Sequence, residues 1–199
     1  MDNEKKLKKE LQSAPEDRQI AILNELINLD ISPEKKKEYA EQALRIAQKT
    51  ENKKEQVEIL CILGELEREQ ANFDESVKYL KESVNIAKDL DNYKILAESI
   101  NSLARVFWSQ SDFQNMLKQN LELLKVYTEN NDEDGIAIAT HNLGMVYRNT
   151  GQTDKALKYY LKALQIMKKL KNEPAVGRIL NSIGIVYEKS DDPDKAFQY

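Results

Sequence analysis

Apolar residues recur along this chain with the spacing of amphipathic helices, and the whole pattern returns every 40 residues. An aliphatic residue followed by Gly or Ala marks the interval, at Leu63, Leu103, Leu143 and Ile183. Self-similarity at a fixed period is typical of proteins built from stacked structural repeats. The pattern predicts repeats over about residues 13–52, 53–92, 93–132 and 133–172, and an incomplete fifth over 173–199.

Each repeat contains two stretches with helical spacing of its apolar positions. In the 133–172 repeat, Ile136 and Leu143 share one helical face, and Ala156 and Tyr160 share another after a turn around Gly151. No linker or change of composition interrupts the series. We therefore predict an all-α chain of tandem helix-turn-helix units that forms one array over residues 1–199.

Polar residues with capping potential stand before the predicted helices. Their side chains can accept hydrogen bonds from the free N–H groups of a first helical turn. The candidates are Ser32, Asn72, Asp112 and Asp192, at the starts of the second helices, whereas Asn52, Asn92 and Asn172 are predicted only to mark the polar turns between repeats. Glu75, three residues after Asn72, predicts a capping box at that position.

Glycine occupies the middle of predicted first helices at Gly64 and Gly144. A glycine there costs about 1 kcal/mol relative to alanine, so a packing requirement is the expected reason for it. We predict that Leu80 and Tyr160, from the second helix of the same repeat, fill the space that the missing side chains leave.

The repeat of residues 133–172 resembles the tetratricopeptide repeat signature at Leu143, Gly144, Tyr147, Gly151, Ala156, Tyr160 and Ala163. The last repeat shows the same signature at Ile183, Gly184, Tyr187 and Ala196. The period exceeds the usual 34 residues, as it does in kinesin light chain and in the peptide-pheromone receptors of bacteria. The resemblance implies a right-handed α-α superhelix with a concave groove lined by the first helices, and a role in protein interaction without a defined partner.

Charge and composition exclude several other classes of function. The formal net charge is −4, so the chain lacks the broad positive field with which proteins bind a phosphate backbone, and we predict no direct nucleic-acid partner. A single Cys excludes an internal disulfide, and the first residues are charged where a signal peptide would be apolar. No apolar run is long enough to cross a membrane. We therefore predict a cytoplasmic protein that does not enter a membrane.

The sequence offers little for catalysis. Cys61 and His141, the sole residues of their kinds, take equivalent places on first helices two repeats apart, so they cannot form a catalytic dyad. One Cys and one His are also too few for the common zinc ligand sets. Glu65, Glu67 and Glu69 are predicted to lie on a solvated helix surface, and the lysines of residues 35–37 to keep the surface hydrated. We predict no enzyme, no catalytic residue, no metal and no cofactor.

Binding is instead expected on the face that the first helices share, since repeat arrays use one long surface for recognition. By their spacing, the residues of this face are Glu58, Cys61, Glu65, Arg68, Glu98, Asn101, Arg105, Trp108, Ile138, His141, Met145, Arg148, Arg178, Asn181, Ile185 and Glu188. Six of them are predicted to contact a ligand: Asn101, Arg105, Trp108, His141, Arg148 and Asn181.

The chemistry of each of these residue types suits contact with a peptide or protein ligand. An amide can donate to and accept from a peptide backbone at once, which suits Asn101 and Asn181. Trp108 offers a large ring with a polar edge, and the arginines suit carboxylates. Equally open alternatives are that the amides bridge neighbouring helices, that Trp108 packs near Phe113, and that the arginines pair with Glu65 or Glu98 in the same face. Only Arg105 partly matches the carboxylate clamp of chaperone-binding members of the family.

The most direct interpretation is a protein- or peptide-binding scaffold, the N-terminal cytoplasmic sensing or docking region of a larger signalling protein. The sequence ends shortly after the start of a second helix, so further residues are expected beyond it. The alternative is a structural module that self-associates through its C-terminal repeat. In that case residues 174–199 would expose an apolar face that includes Ile179, Ile183, Val186 and Tyr187.

Overall fold

The computed structural model describes residues 2–188. Within this range the chain forms ten α-helices and no strand. The helices are α1 (Asp2–Leu11), α2 (Glu16–Ile27), α3 (Pro33–Lys49), α4 (Lys53–Glu69), α5 (Phe73–Lys88), α6 (Tyr93–Ser109), α7 (Phe113–Glu129), α8 (Glu133–Asn149), α9 (Thr153–Lys169) and α10 (Glu173–Glu188). Two compact units comprise Met1–Val106 and Phe107–Tyr199, called unit 1 and unit 2 below.

The all-α prediction is confirmed, and so are the helix pairs of the repeats. Residues 13–52 hold α2 and α3, and each later pair falls within its predicted 40 residues. The arrangement of the whole chain as one array stays a prediction. Helix α1 was not predicted. It packs on α2 through Leu7, which is buried, and carries an ion pair between Lys8 and Glu4 at 2.9 Å.

The turns between helices follow one backbone rule. Six residues spaced by multiples of 20 have φ between 53° and 75°, and these are Glu51, Ala71, Ser111, Asn131, Gly151 and Lys171. At the end of α4 the N–H of Asn72 donates to the carbonyl of Glu67 over 2.8 Å, and the N–H of Ala71 donates to that of Arg68 over 3.0 Å. This pair of bonds is the Schellman motif, which closes a helix with a left-handed residue. Five of the six residues carry a side chain where glycine would be free of strain.

Replacing Ala71 with glycine is therefore expected to stabilise the protein. A left-handed conformation costs an L-residue with a side chain about 1–2 kcal/mol, so Ala71→Gly should raise the free energy of unfolding by about 1 kcal/mol. Gly151→Ala, at the equivalent turn, should lower it by a similar amount. Urea denaturation measures both. Equal shifts of the same sign in the two variants would contradict this account.

Among the described residues, Asp112 forms its predicted cap, and Asn52, Asn92 and Asn172, which were predicted only to mark turns, also cap the helices that follow them. Asn52, Asp112 and Asn172 each accept a hydrogen bond from the backbone N–H three residues further on, over 3.3, 3.0 and 3.2 Å. Asn92 accepts from the N–H groups that follow it. The capping box at Asn72 is wrong, because its side chain donates to the Glu67 carboxylate over 2.8 Å instead. Ser32 makes no capping bond through its side chain, and Asp192 lies outside the described residues.

The mid-helix glycines meet the partners predicted for them. A Cβ atom at Gly64 would lie 2.5 Å from Cγ of Leu80, and one at Gly144 would lie 2.6 Å from the ring of Tyr160. Both partners are fully buried. Each glycine thus allows α4 and α8 to approach the helix that follows.

One prediction about the last repeat is wrong. Ile179, Ile183 and Val186 of α10 are buried, since they pack in the same core as Ala163 and Met167 of α9. They do not form the exposed apolar face on which self-association was argued. Residues 189–199, with Ala196, lie outside the described residues, and self-association through them stays a prediction.

Glu67 corrects the prediction of a solvated acidic surface on α4. This residue is 1% exposed, and its carboxylate lies 2.6 Å from the Nζ of Lys37 on α3. Burial alone would raise the pKa of Glu67, but the hydrogen bonds from Lys37 and Asn72 outweigh it, so the pKa is lowered. Lys37 therefore forms a structural ion pair, whereas the sequence predicts only that the lysines of residues 35–37 keep the surface hydrated.

Candidate functional site

Unit 1 carries a pocket of about 460 Å³ on the face of its first helices. Its lining includes Glu58, Cys61 and Glu65 of α4 and Glu98 and Arg105 of α6. All five are positions that the repeat spacing assigns to the binding face. The face predicted from the sequence therefore contains an open concave surface in this unit.

Two polar residues of the pocket lining, Cys61 and Ser99, are connected through the buried Ser83. The Cys61 Sγ lies 3.1 Å from the Oγ of Ser83, and the Ser83 hydroxyl donates to the Oγ of Ser99 over 2.9 Å. Burial raises the pKa of the Cys61 thiol, and the carboxylates of Glu98 and Glu65 raise it further. The thiol is consequently neutral at pH 7 and unsuited to act as a nucleophile.

The two predicted ligand contacts in unit 1 differ in their surroundings. Arg105 is exposed, and its guanidinium lies 3.2 Å from a Glu65 carboxylate oxygen, so the alternative pairing within the face does occur. Glu65 also accepts a hydrogen bond from Arg68 over 2.7 Å. Asn101, one turn before Arg105 on α6, is half-buried and lies outside the lining of the pocket.

Unit 2 contains the other four predicted contacts. Trp108 is 37% exposed while its ring meets Phe113 edge to face, with centroids 6.0 Å apart. The packing alternative therefore holds, and it leaves part of the indole open to a ligand. Asn181 on α10 is exposed and Arg148 at the end of α8 is half-buried.

His141 lies in a second pocket, of about 250 Å³, between α8, α9 and α10. Its Nε2 is 3.0 Å from the Ser182 Oγ, and its ring lies against Tyr160 with centroids 5.3 Å apart. Burial, followed by the positive charges of Arg148 and Arg178, lowers the pKa of His141 to about 4. The imidazole is therefore neutral at pH 7.

Sequence reasoning assigned these residues to one face of the first helices but did not locate the pockets. It favoured the third to fifth repeats and set aside Glu58 and Glu65, although the larger pocket of the two lies beside them. The signal that could have found it is the recurrence of carboxylates at the face positions of α4 and α6. Arg178 was likewise on the predicted face but not among the chosen contacts.

The described residues hold no group of three or more His, Cys, Asp or Glu side chains that could bind a metal ion. None of the helices described is both long enough and apolar enough to cross a membrane.

Comparison with known protein families gives a specific result. Residues 95–169 and 135–199 match a family model described as tetratricopeptide repeat, and residues 57–90 match a second model with the same description. These matches cover more than half of the chain. No curated protein sequence matches significantly.

Solved structures resemble the chain in fold. A putative kinesin light chain from Podosopora anserina with nearly identical TPR-like repeats has 16% identity and a TM-score of 0.68, over 99% of this chain and 89% of that one. A Rap protein complexed with Competence and Sporulation Factor has 13% identity and a TM-score of 0.63, over 89% of this chain and 58% of that one.

A third structure is a signal transduction ATPase with numerous domains from Pyrococcus horikoshii, described as having a tetratricopeptide repeat sensor. Its identity is 17% and its TM-score 0.72, over 92% of this chain and 28% of that one. This chain thus spans only part of the length of the Rap protein and of the ATPase. Identities this low establish a common fold and nothing more specific.

Proposed function

Because the chain belongs to the tetratricopeptide repeat family, we propose that it is a scaffold that binds a peptide or a protein segment on the face of its first helices. The observation that carries this proposal is the pocket of about 460 Å³ in unit 1, whose lining includes five of the positions that the repeat spacing assigns to that face. A pocket of this size accommodates side chains of an extended segment.

The proposed contacts are those selected from the sequence. The bound segment would contact Asn101 and Arg105 in unit 1, and Trp108, His141, Arg148 and Asn181 in unit 2. Trp108 is suited to be an anchor, since aromatic side chains with partial exposure dominate many binding energies. Asn101 would hold a backbone amide of the bound segment. His141 would act as a neutral partner, because its pKa is lowered to about 4.

We further propose that the chain is the N-terminal sensing or docking region of a larger cytoplasmic signalling protein. The support is that it spans 58% of the Rap protein and 28% of the ATPase with a tetratricopeptide repeat sensor. This part of the proposal rests on analogy of fold.

Selection from a displayed library of random peptides, followed by titration of the selected peptide, tests the binding face. Asn101→Ala should weaken binding by about 1–3 kcal/mol, because a peptide group would be left unpaired. Trp108→Ala should cost at least about 2 kcal/mol if the indole is an anchor. Circular dichroism should show that both variants keep their helical content.

Lys162→Ala is the matched control, since Lys162 is exposed on α9, a second helix. It should bind as wild type does. If Lys162→Ala abolished binding while the Asn101 and Trp108 variants bound normally, the ligand would lie on the second helices and the proposed face would be wrong.

A further inference from the structure

The pocket around His141 combines an apolar interior with a positively charged edge. Its walls include Ala137 of α8, Met167 of α9 and Ile179 of α10, all of them buried. The polar residues of the lining are His141, Asn142 and Arg178. A ligand group that fits must therefore have an apolar stem and a polar head.

The charges at this pocket are positive and uncompensated among residues 2–188. Neither Arg148 nor Arg178 forms an ion pair with a described residue. Both arginines act on the ring of His141, and no carboxylate of residues 2–188 contributes to its electrostatic surroundings. The other described side chains that interact with the ring are uncharged, namely Asn142, Tyr160 and Ser182.

We propose that this pocket binds the side-chain carboxylate of a glutamate in the partner protein. The methylene stem of the glutamate would lie against Ala137, Met167 and Ile179. Its carboxylate would pair with the guanidinium of Arg178, a charge-assisted hydrogen bond that is among the stronger polar contacts. Asn142 could donate to the second carboxylate oxygen. The inference rests on the proposed function and specifies the chemistry of the partner in unit 2.

A peptide C-terminus would offer a carboxylate bonded directly to the backbone, without the methylene stem of a glutamate side chain. The pocket, of about 250 Å³, has room for the methylene stem as well as the carboxylate. The two sources can be separated with small probes, namely N-acetyl-glutamate α-amide, N-acetyl-glutamine α-amide and N-acetyl-alanine. The first carries only a side-chain carboxylate, the second carries none, and the third carries only a terminal carboxylate.

His141 makes the test direct because it is the sole histidine of the chain, so its ring signals in NMR belong to this pocket. Titration with N-acetyl-glutamate α-amide should shift these signals saturably, with a dissociation constant in the millimolar range. The pKa of His141 should rise from its low value when the probe is bound, because a nearby negative charge favours the protonated ring. N-acetyl-glutamine α-amide should give no saturable shift.

Arg178→Gln should weaken the glutamate probe about fivefold or more, since the charge-assisted bond is lost. Arg178 is exposed, so the substitution should leave the fold intact. Lys162→Gln removes an exposed positive charge of the same unit and should leave the affinity for the glutamate probe unchanged.

The absence of a saturable shift, or an equal response in wild type and Arg178→Gln, would overturn the proposal. A stronger response to N-acetyl-alanine would assign the pocket to a C-terminus and overturn it as well. Neither outcome depends on the peptide selection described above, which tests the proposed function separately.

Discussion

Gly144→Ala is expected to destabilise the protein by about 2 kcal/mol, whereas Gly177→Ala should stabilise it by about 1 kcal/mol. Both glycines are helical residues of unit 2, and each substitution adds one methyl group. At Gly144 the added Cβ would lie 2.6 Å from the ring of Tyr160, which is fully buried and cannot turn aside. At Gly177 nothing lies within 4 Å of the added atom, so only the better helix propensity of alanine remains.

Urea denaturation of both variants, followed by far-ultraviolet circular dichroism, measures the difference. A double variant, Gly144→Ala with Tyr160→Leu, tests the cause, because the smaller side chain should make the added methyl group tolerable relative to Tyr160→Leu alone. If Gly144→Ala were as stable as Gly177→Ala, close packing of α8 on α9 would not be the reason for the glycine.

The repeat and its helices were predictable because their signals are local and recur. Gly64 and Gly144 stand at one place in the repeat, and each meets the large residue sixteen positions later that the sequence indicated. The turn predicted around Gly151 forms, with a left-handed backbone at the glycine, but Ala71 and Glu51 adopt the same conformation and no glycine marks their turns in the sequence. Helix α1 has no copy elsewhere in the chain, so periodicity could not reveal it.

Features that depend on tertiary partners could not be predicted in the same way. Asn72 has the local sequence of a capping box, but its amide donates to Glu67, whose carboxylate is fixed by Lys37 from another helix. The spacing of Glu58 and Cys61 placed them on the binding face. Whether that face is flat or hollow depends on how the side chains of neighbouring helices pack, and a single sequence does not contain that information.

Removal of Lys37, the half-buried partner of the buried Glu67, gives the second large effect on stability. In wild type the pKa of Glu67 is lowered and that of Lys37 is raised. A carboxylate with a lowered pKa stabilises the fold above its unfolded pKa, about 4.3, and this contribution is lost as the pH falls through the folded value. The contribution of Lys37 is complete below its unfolded pKa, about 10.4, and is lost as the pH rises through the higher folded value. The pair therefore stabilises the protein between these limits.

Lys37→Met should lower the free energy of unfolding at pH 7 by about 3 kcal/mol, toward the low end for a broken buried ion pair, because the Lys37 side chain is 37% exposed. Without the ammonium group, burial dominates and raises the pKa of Glu67, so protonation in acid should relieve the unpaired charge. The difference in the free energy of unfolding from wild type should thus shrink as the pH falls below about 5.

Lys35→Met is the matched control, because the exposed contact of Lys35 with Glu4, at 3.6 Å, should contribute less than about 1 kcal/mol. Denaturation across this pH range decides the matter. A double variant, Lys37→Met with Glu67→Met, should recover part of the lost stability, because it also removes the buried charge. If the loss in Lys37→Met were independent of pH and the double variant recovered nothing, Lys37 would act through packing of its aliphatic stem instead.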